Sequence, residues 1–70
     1  NVPGRTSSNM TADTTLRLSA HPNIIGVKEA SGNIEQCMKV LRHAPKDFMV
    51  ISGDDLLTVP LYSLGAKGVI

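Results

Sequence analysis

Two apolar runs of strand length, residues 24–28 (Ile-Ile-Gly-Val-Lys) and 48–52 (Phe-Met-Val-Ile-Ser), flank a stretch with helical periodicity. A third run opens at Lys67, after a second helix-length stretch. Strands that alternate with helices through short connections form parallel βαβ units, because parallel neighbours need a crossover between them. The order along the chain reads loop-α-β-α-β-α-β. Three strands cannot close a barrel or cover both faces of an open sheet. The chain is therefore read as part of an α/β fold, about a quarter to a third of it if that fold is a (β/α)8 barrel.

Local signals set the expected boundaries. Residues 1–10 read as loop, with Pro3-Gly4 as a turn signal continued by Ser7, Ser8 and Asn9. Thr11 is the expected N-cap of a helix of about ten residues, with Asp13 in its favourable first turn. The apolar stripe of that helix is thin: Ala12, Leu16 and Ala20, with Leu18 off it. His21-Pro22-Asn23 ends it, since a residue before proline is pushed away from helical angles. Asn33 or Ser31 caps the next helix, whose face carries Ile34, Cys37, Met38, Leu41 and Ala44. On its polar side Glu35 and Lys39 stand at i, i+4 in the favourable order, and Pro45 stops it. Gly53-Asp54-Asp55 breaks the second strand. Because Pro60 fits only a first helical turn, Thr58 is the expected N-cap of the last helix, with Gly65 as its left-handed terminator.

Composition excludes several classes. The single cysteine, Cys37, rules out an internal disulfide and gives no sign of an oxidising compartment. Formal net charge is +1 with both signs interspersed, and there is one Tyr and one Phe, so neither a basic stripe nor an aromatic platform suggests nucleic acid. No apolar run approaches the ~18 residues of a membrane span, and no signal peptide is visible. A unit of this size buries only about 60 % of its unfolded surface. With a start that lacks Met and an apolar Gly-Val-Ile end, the expectation is a cytoplasmic piece of something larger.

Lys28 carries the clearest chemistry. Alternation places Ile24, Gly26 and Lys28 on one strand face and Ile25 and Val27 on the other. In a covered parallel sheet both faces are buried, which sets the amine at the carboxyl end of a buried strand. Desolvation and a nearby cation favour the free amine, a nucleophile toward carbonyls. The competing reading is a lysine that reaches out to pair with a carboxylate. Arg5, on a loop at the same end, can grip a carboxylate in bidentate fashion or stand as a surface arginine. Asp54 and Asp55 suit acid/base work but also helix capping. Gly53 allows close approach of a ligand to its backbone. Cys37 and Met38 read as core, and Glu29, on the face opposite Lys28, as a structural ion-pair partner. His21 and His43 lack partners at ligand spacing, so no metal is expected. Gly26 and Gly32 do not make a G-x-G-x-x-G phosphate loop.

The segments Asn1-Val2-Pro3-Gly4-Arg5-Thr6, Gly26-Val27-Lys28-Glu29-Ala30-Ser31-Gly32-Asn33, Ser52-Gly53-Asp54-Asp55 and Gly65-Ala66-Lys67-Gly68-Val69-Ile70 resemble the 4-hydroxy-tetrahydrodipicolinate (dihydrodipicolinate) synthase family of class I pyruvate-dependent aldolases. The resemblance runs the whole length and keeps the spacing between motifs. It implies an α/β fold that is a partial (β/α)8 TIM barrel, from after its fifth strand into its eighth. Residues 1–70 would then be an incomplete C-terminal-half portion of one barrel domain. It further implies that Lys28 forms a Schiff base with pyruvate, so that the enamine attacks aspartate-4-semialdehyde, with no separate cofactor. Arg5 would bind the semialdehyde carboxylate, and Gly53 and the main-chain carbonyl of Ile70 would line the pyruvate pocket. The implied setting is lysine and diaminopimelate biosynthesis in the cytoplasm, by a homotetramer. The family's proton-relay tyrosine and its Gly-x-Thr-Gly-Glu motif fall outside these residues, so the 70-residue chain alone is expected to be inactive. Arg5 separates this branch from the sialic-acid and keto-deoxy-sugar aldolases, the first alternative. A non-catalytic module with a structural Lys28 is the second.

Overall fold

A computed structural model describes residues 1–70. The elements in chain order are α1 (Pro3–Thr6), α2 (Ala12–Ser19), β1 (Gly26–Glu29), α3 (Ile34–His43), β2 (Met49–Ser52), a 3₁₀ turn (Asp55–Leu57), α4 (Thr58–Leu64) and β3 (Gly68–Val69). The strands form one parallel sheet in the order β1-β2-β3, with Lys28 beside Ile51 and Ser52 beside Val69. The expected βαβ succession holds. The amino-terminal segment departs from its loop expectation through α1, a single turn with Pro at its start and Ser7 in the left-handed region (φ 56°) at its end. Proline supplies the helical φ and costs no bond there, since a first-turn N–H has no partner within the helix.

Thr11 caps α2 as expected, its side chain accepting the Thr14 N–H at 3.3 Å. Of the expected stripe Ala12 is buried, Leu16 half-buried and Ala20 exposed, and Thr15 and Ser19 complete the buried face. Thr15 and Ser19 tolerate burial because their hydroxyls donate to the helix's own carbonyls of Thr11 (3.1 Å) and Leu16 (2.7 Å). Asn33 caps α3 by accepting the Gln36 N–H at 3.0 Å. Its seam is also rotated from expectation: Cys37 and Val40 are buried, whereas Met38 is exposed. The cause is that α3 serves two small cores at once. Val40 packs with Ala12, Phe48 and Val50, and Cys37 packs with Leu61 and Ala66. Lys39 bypasses Glu35 and pairs with Asp13 of α2 at 2.8 Å, because the two helices lie side by side.

Asp54, not Thr58, caps the last helical segment. Its carboxylate accepts the Leu56 N–H at 3.1 Å, and the 3₁₀ turn then runs directly into α4. Thr58 lies inside that turn geometry, donating to the Asp54 carbonyl at 2.9 Å. Gly65 ends α4 at φ 116°, and the Ala66 N–H returns to the Leu61 carbonyl at 2.9 Å in the bonding of a Schellman motif. No helix is long and apolar enough to cross a membrane.

Candidate active site

Helices α2, α3 and α4 cover one side of the sheet and leave the other bare. Lys28, one residue before the end of β1, projects from the bare side along with its register neighbour Ile51. The expectation that both faces are buried fails for this chain: Lys28 is exposed because nothing packs over that face. Beside it an open cleft of about 430 Å³ lies at the carboxyl ends of the strands, with Val2, Arg5, Lys28, Gly53, Asp54 and Asp55 among its walls.

Each of these side chains has a local reason for its place. Arg5 rides on α1, held by its own N–H to the Val2 carbonyl at 2.9 Å, and its guanidinium is exposed without an ion pair. Gly53 follows β2 directly, and the stem of Lys28 lies across it. A β-carbon built on Gly53 would stand 2.5 Å from Lys28 Cε, 3.1 Å from Lys28 Cγ and 3.0 Å from Ala30 Cβ. Glycine at 53 therefore makes room for the lysine itself. Asp54 serves as a cap, and Asp55 opens the 3₁₀ turn, so the cleft holds two cations and two carboxylates. Ile70 stands apart. It lies just past β3, exposed, its N–H donating to the Ser52 carbonyl at 2.9 Å, and it is not among the residues that line the cleft.

Behind Lys28 sits a group that the sequence reading placed in a different role. Glu29 is only 2 % exposed and makes no ion pair. Instead it accepts from Asn1 Nδ2 (2.8 Å), the Ser31 N–H (3.2 Å) and Gln36 Nε2 (3.3 Å). Facing the helices, the carboxyl group meets amide groups first, and hydrogen bonds take the place of the expected ion pair. Asn1 also binds the outer edge of β1 in the parallel pattern. Its nitrogen donates to the Lys28 carbonyl and its carbonyl accepts the Ala30 N–H, both at 2.8 Å. Close by, burial and then the Glu29 carboxylate push the Cys37 thiol up to about 11, and Cys37 is core, as its helix face implied.

Parallel strands, helices on one side and a lysine at the carboxyl rim are the features that a piece of a (β/α)8 barrel presents. The whole length of the chain, residues 1–70, matches the Dihydrodipicolinate synthetase family model, and the chain belongs to that family. It is 56 % identical over 70 residues to the 4-hydroxy-tetrahydrodipicolinate synthase of Syntrophotalea carbinolica, covering all of this chain and 24 % of that protein. The crystal structure of the dihydrodipicolinate synthase from Cyanidioschyzon merolae with lysine bound superposes with a TM-score of 0.95 at 54 % identity, over all of this chain and 24 % of that one. The chloride-inhibited synthase from Acinetobacter baumannii complexed with pyruvate gives a TM-score of 0.93 at 40 % identity, with the same coverage. The chain thus spans about a quarter of the length of the relatives it matches.

Proposed function

We propose that the complete barrel carrying these residues condenses pyruvate with L-aspartate-4-semialdehyde to 4-hydroxy-tetrahydrodipicolinate. The observation that carries this reading is that Lys28, Arg5 and Gly53 line one cleft at the carboxyl ends of parallel strands in a chain of this family. In the proposal the Lys28 amine adds to the pyruvate ketone and water leaves, giving an imine. Loss of a methyl proton yields the enamine, whose terminal carbon forms the new carbon–carbon bond to the semialdehyde carbonyl, the aldehyde oxygen taking up a proton. The amino group of the semialdehyde moiety then adds to the imine carbon and the Lys28 amine leaves, which closes the ring of the product and frees the lysine. Imine formation uses the substrate's own carbon, so no cofactor enters. Arg5, a cation free of ion pairs, holds the semialdehyde carboxylate by a bidentate contact. Gly53 leaves room for the lysine stem and lines the pyruvate pocket, and the Ile70 carbonyl meets pyruvate once the bare sheet face is enclosed. A pyruvate complex of a relative supports the first substrate.

Residues 1–70 are then the C-terminal-half portion of a single barrel domain. The protein works in the cytoplasm in lysine and diaminopimelate biosynthesis and as a homotetramer. The 70-residue chain alone leaves Lys28 in solvent and lacks the remaining walls, so it is inactive. The test is steady-state kinetics on a complete barrel carrying these residues, with and without Arg5→Ala. The proposal expects condensation activity, and a semialdehyde KM raised about tenfold or more by loss of the charge-assisted contact, with pyruvate imine formation intact. An unchanged KM refutes the role of Arg5, and activity on keto-deoxy sugar acids instead of the semialdehyde refutes the substrate assignment.

A further inference from the structure

We propose that Glu29 is a positioning residue whose buried carboxylate locks the segment bearing Arg5 against the strand bearing Lys28. The proposal rests on the functional reading above for what that alignment achieves, and on geometry alone for the alignment itself.

Asn1 and Met10 are the two ends of the segment that contains Arg5, and they are clasped together. Asn1 Oδ1 accepts the Met10 N–H at 2.9 Å, and Asn1 Nδ2 donates to the Met10 carbonyl at 3.1 Å. Gln36 of α3 reinforces the clasp by donating from Nε2 to the same carbonyl at 2.9 Å, while its Oε1 accepts from Asn9 Nδ2 at 2.9 Å. Both amides turn their NH₂ groups toward Glu29, which receives Asn1 on Oε1 and Gln36 on Oε2. A carboxylate only accepts, so its presence at the centre dictates which way each amide faces. With their NH₂ groups committed there, the amide oxygens are left for the Met10 N–H and for Asn9. Glu29, adjacent to Lys28, and the Met10 main chain thus favour the same orientation of both amides, and that orientation closes the Arg5 segment. No buried polar side-chain atom in the network is left without a partner, so loss of one acceptor propagates to the others.

Glu29→Gln tests this, in a complete barrel carrying these residues. The new NH₂ group faces a donor, either Gln36 or Asn1, and the clasp must open or turn over. Glu29→Asp is the companion variant, because it keeps an acceptor-only carboxylate at the centre of the network while Gln36 still donates to the Met10 carbonyl. Three readouts are taken: borohydride trapping of pyruvate on Lys28, the semialdehyde KM, and amide exchange at Met10. We expect Glu29→Gln to trap pyruvate normally while its semialdehyde KM rises about tenfold, the effect of one unsatisfied buried donor. Met10 exchange should accelerate, and Glu29→Asp should lie nearer the unsubstituted barrel in both values. Unchanged KM and exchange in Glu29→Gln, or a Glu29→Asp variant as impaired as Glu29→Gln, overturns the proposal. Parallel loss of trapping and KM also overturns it, since that marks general damage rather than misalignment. If the unsubstituted barrel fails to trap pyruvate, the functional reading fails, and the exchange readout still decides the clasp.

Discussion

Gly53→Ala inserts a methyl group where the lysine stem runs, and its effect follows from three distances. The added carbon lies 2.5 Å from Lys28 Cε, 3.1 Å from Lys28 Cγ and 3.0 Å from Ala30 Cβ. Carbon atoms sit comfortably at about 3.5–4.0 Å, so Lys28 Cε must retreat by about 1 Å. A lysine can swing away, and leaving its rotamer well costs about 0.5–1.5 kcal/mol. Ala30 Cβ is fixed to the backbone and yields only by a shift of the strand end. Overpacking of this kind costs about 1–3 kcal/mol, and the open cleft places Gly53→Ala in the lower half of that range. Its effect on chemistry is larger, because a 1 Å misplacement of a reacting group costs on the order of 10²-fold in rate. The assay is the time course of borohydride trapping at fixed pyruvate, beside urea denaturation, both on a complete barrel. Wild-type trapping with wild-type stability would refute the argument that Gly53 exists to seat Lys28.

Two further predictions concern charge and burial. The Cys37 thiol, raised from 9.0 to about 11 by burial and by Glu29, stays protonated in the folded state where a free thiol ionises. Folding thus binds that proton more tightly, so the contribution of Cys37 to stability is constant below 9.0 and declines as pH rises toward 11. Alkylation of Cys37 in mildly alkaline buffer should await unfolding, and rapid labelling of the folded protein would contradict its core position. Asp13 is held below its ordinary value by the hydrogen bond and the charge of Lys39. Its favoured carboxylate form stabilises the fold above the unfolded-state pKa, and that share vanishes as pH falls through the lowered one. The denaturation midpoints of wild type and Lys39→Ala should differ slightly near neutrality and converge in acid. A gap that persists in acid would mean that the pair is not its source.

The features legible in the sequence were those decided by neighbours along the chain. Thr11 and Asn33 cap their helices, Gly65 takes the left-handed turn, and the strand–helix alternation yields the parallel sheet, because each depends on a few adjacent residues. The misplaced features were those decided across space. Met38 and Val40 are both apolar but, two residues apart, they point to opposite sides of the helix, and only the position of the two cores makes Val40 the buried one. Lys39 has acidic partners on two helices, and packing selects Asp13. The side of β1 that Glu29 faces was readable from alternation, but its amide partners lie 28 residues before it and 7 after it, beyond any local pattern. Lys28 is exposed for a related reason: a strand face is buried by what packs on it, and alternation along β1 cannot tell whether anything does.

The central claim is that Lys28 is the nucleophile that captures pyruvate. A complete barrel carrying these residues is mixed with pyruvate, reduced with borohydride, digested and mapped by mass spectrometry. The account predicts a reduced pyruvyl adduct on the peptide containing Lys28 and its disappearance in Lys28→Arg. An adduct on Lys39, Lys46 or Lys67 in its place, or no adduct at all, would contradict it.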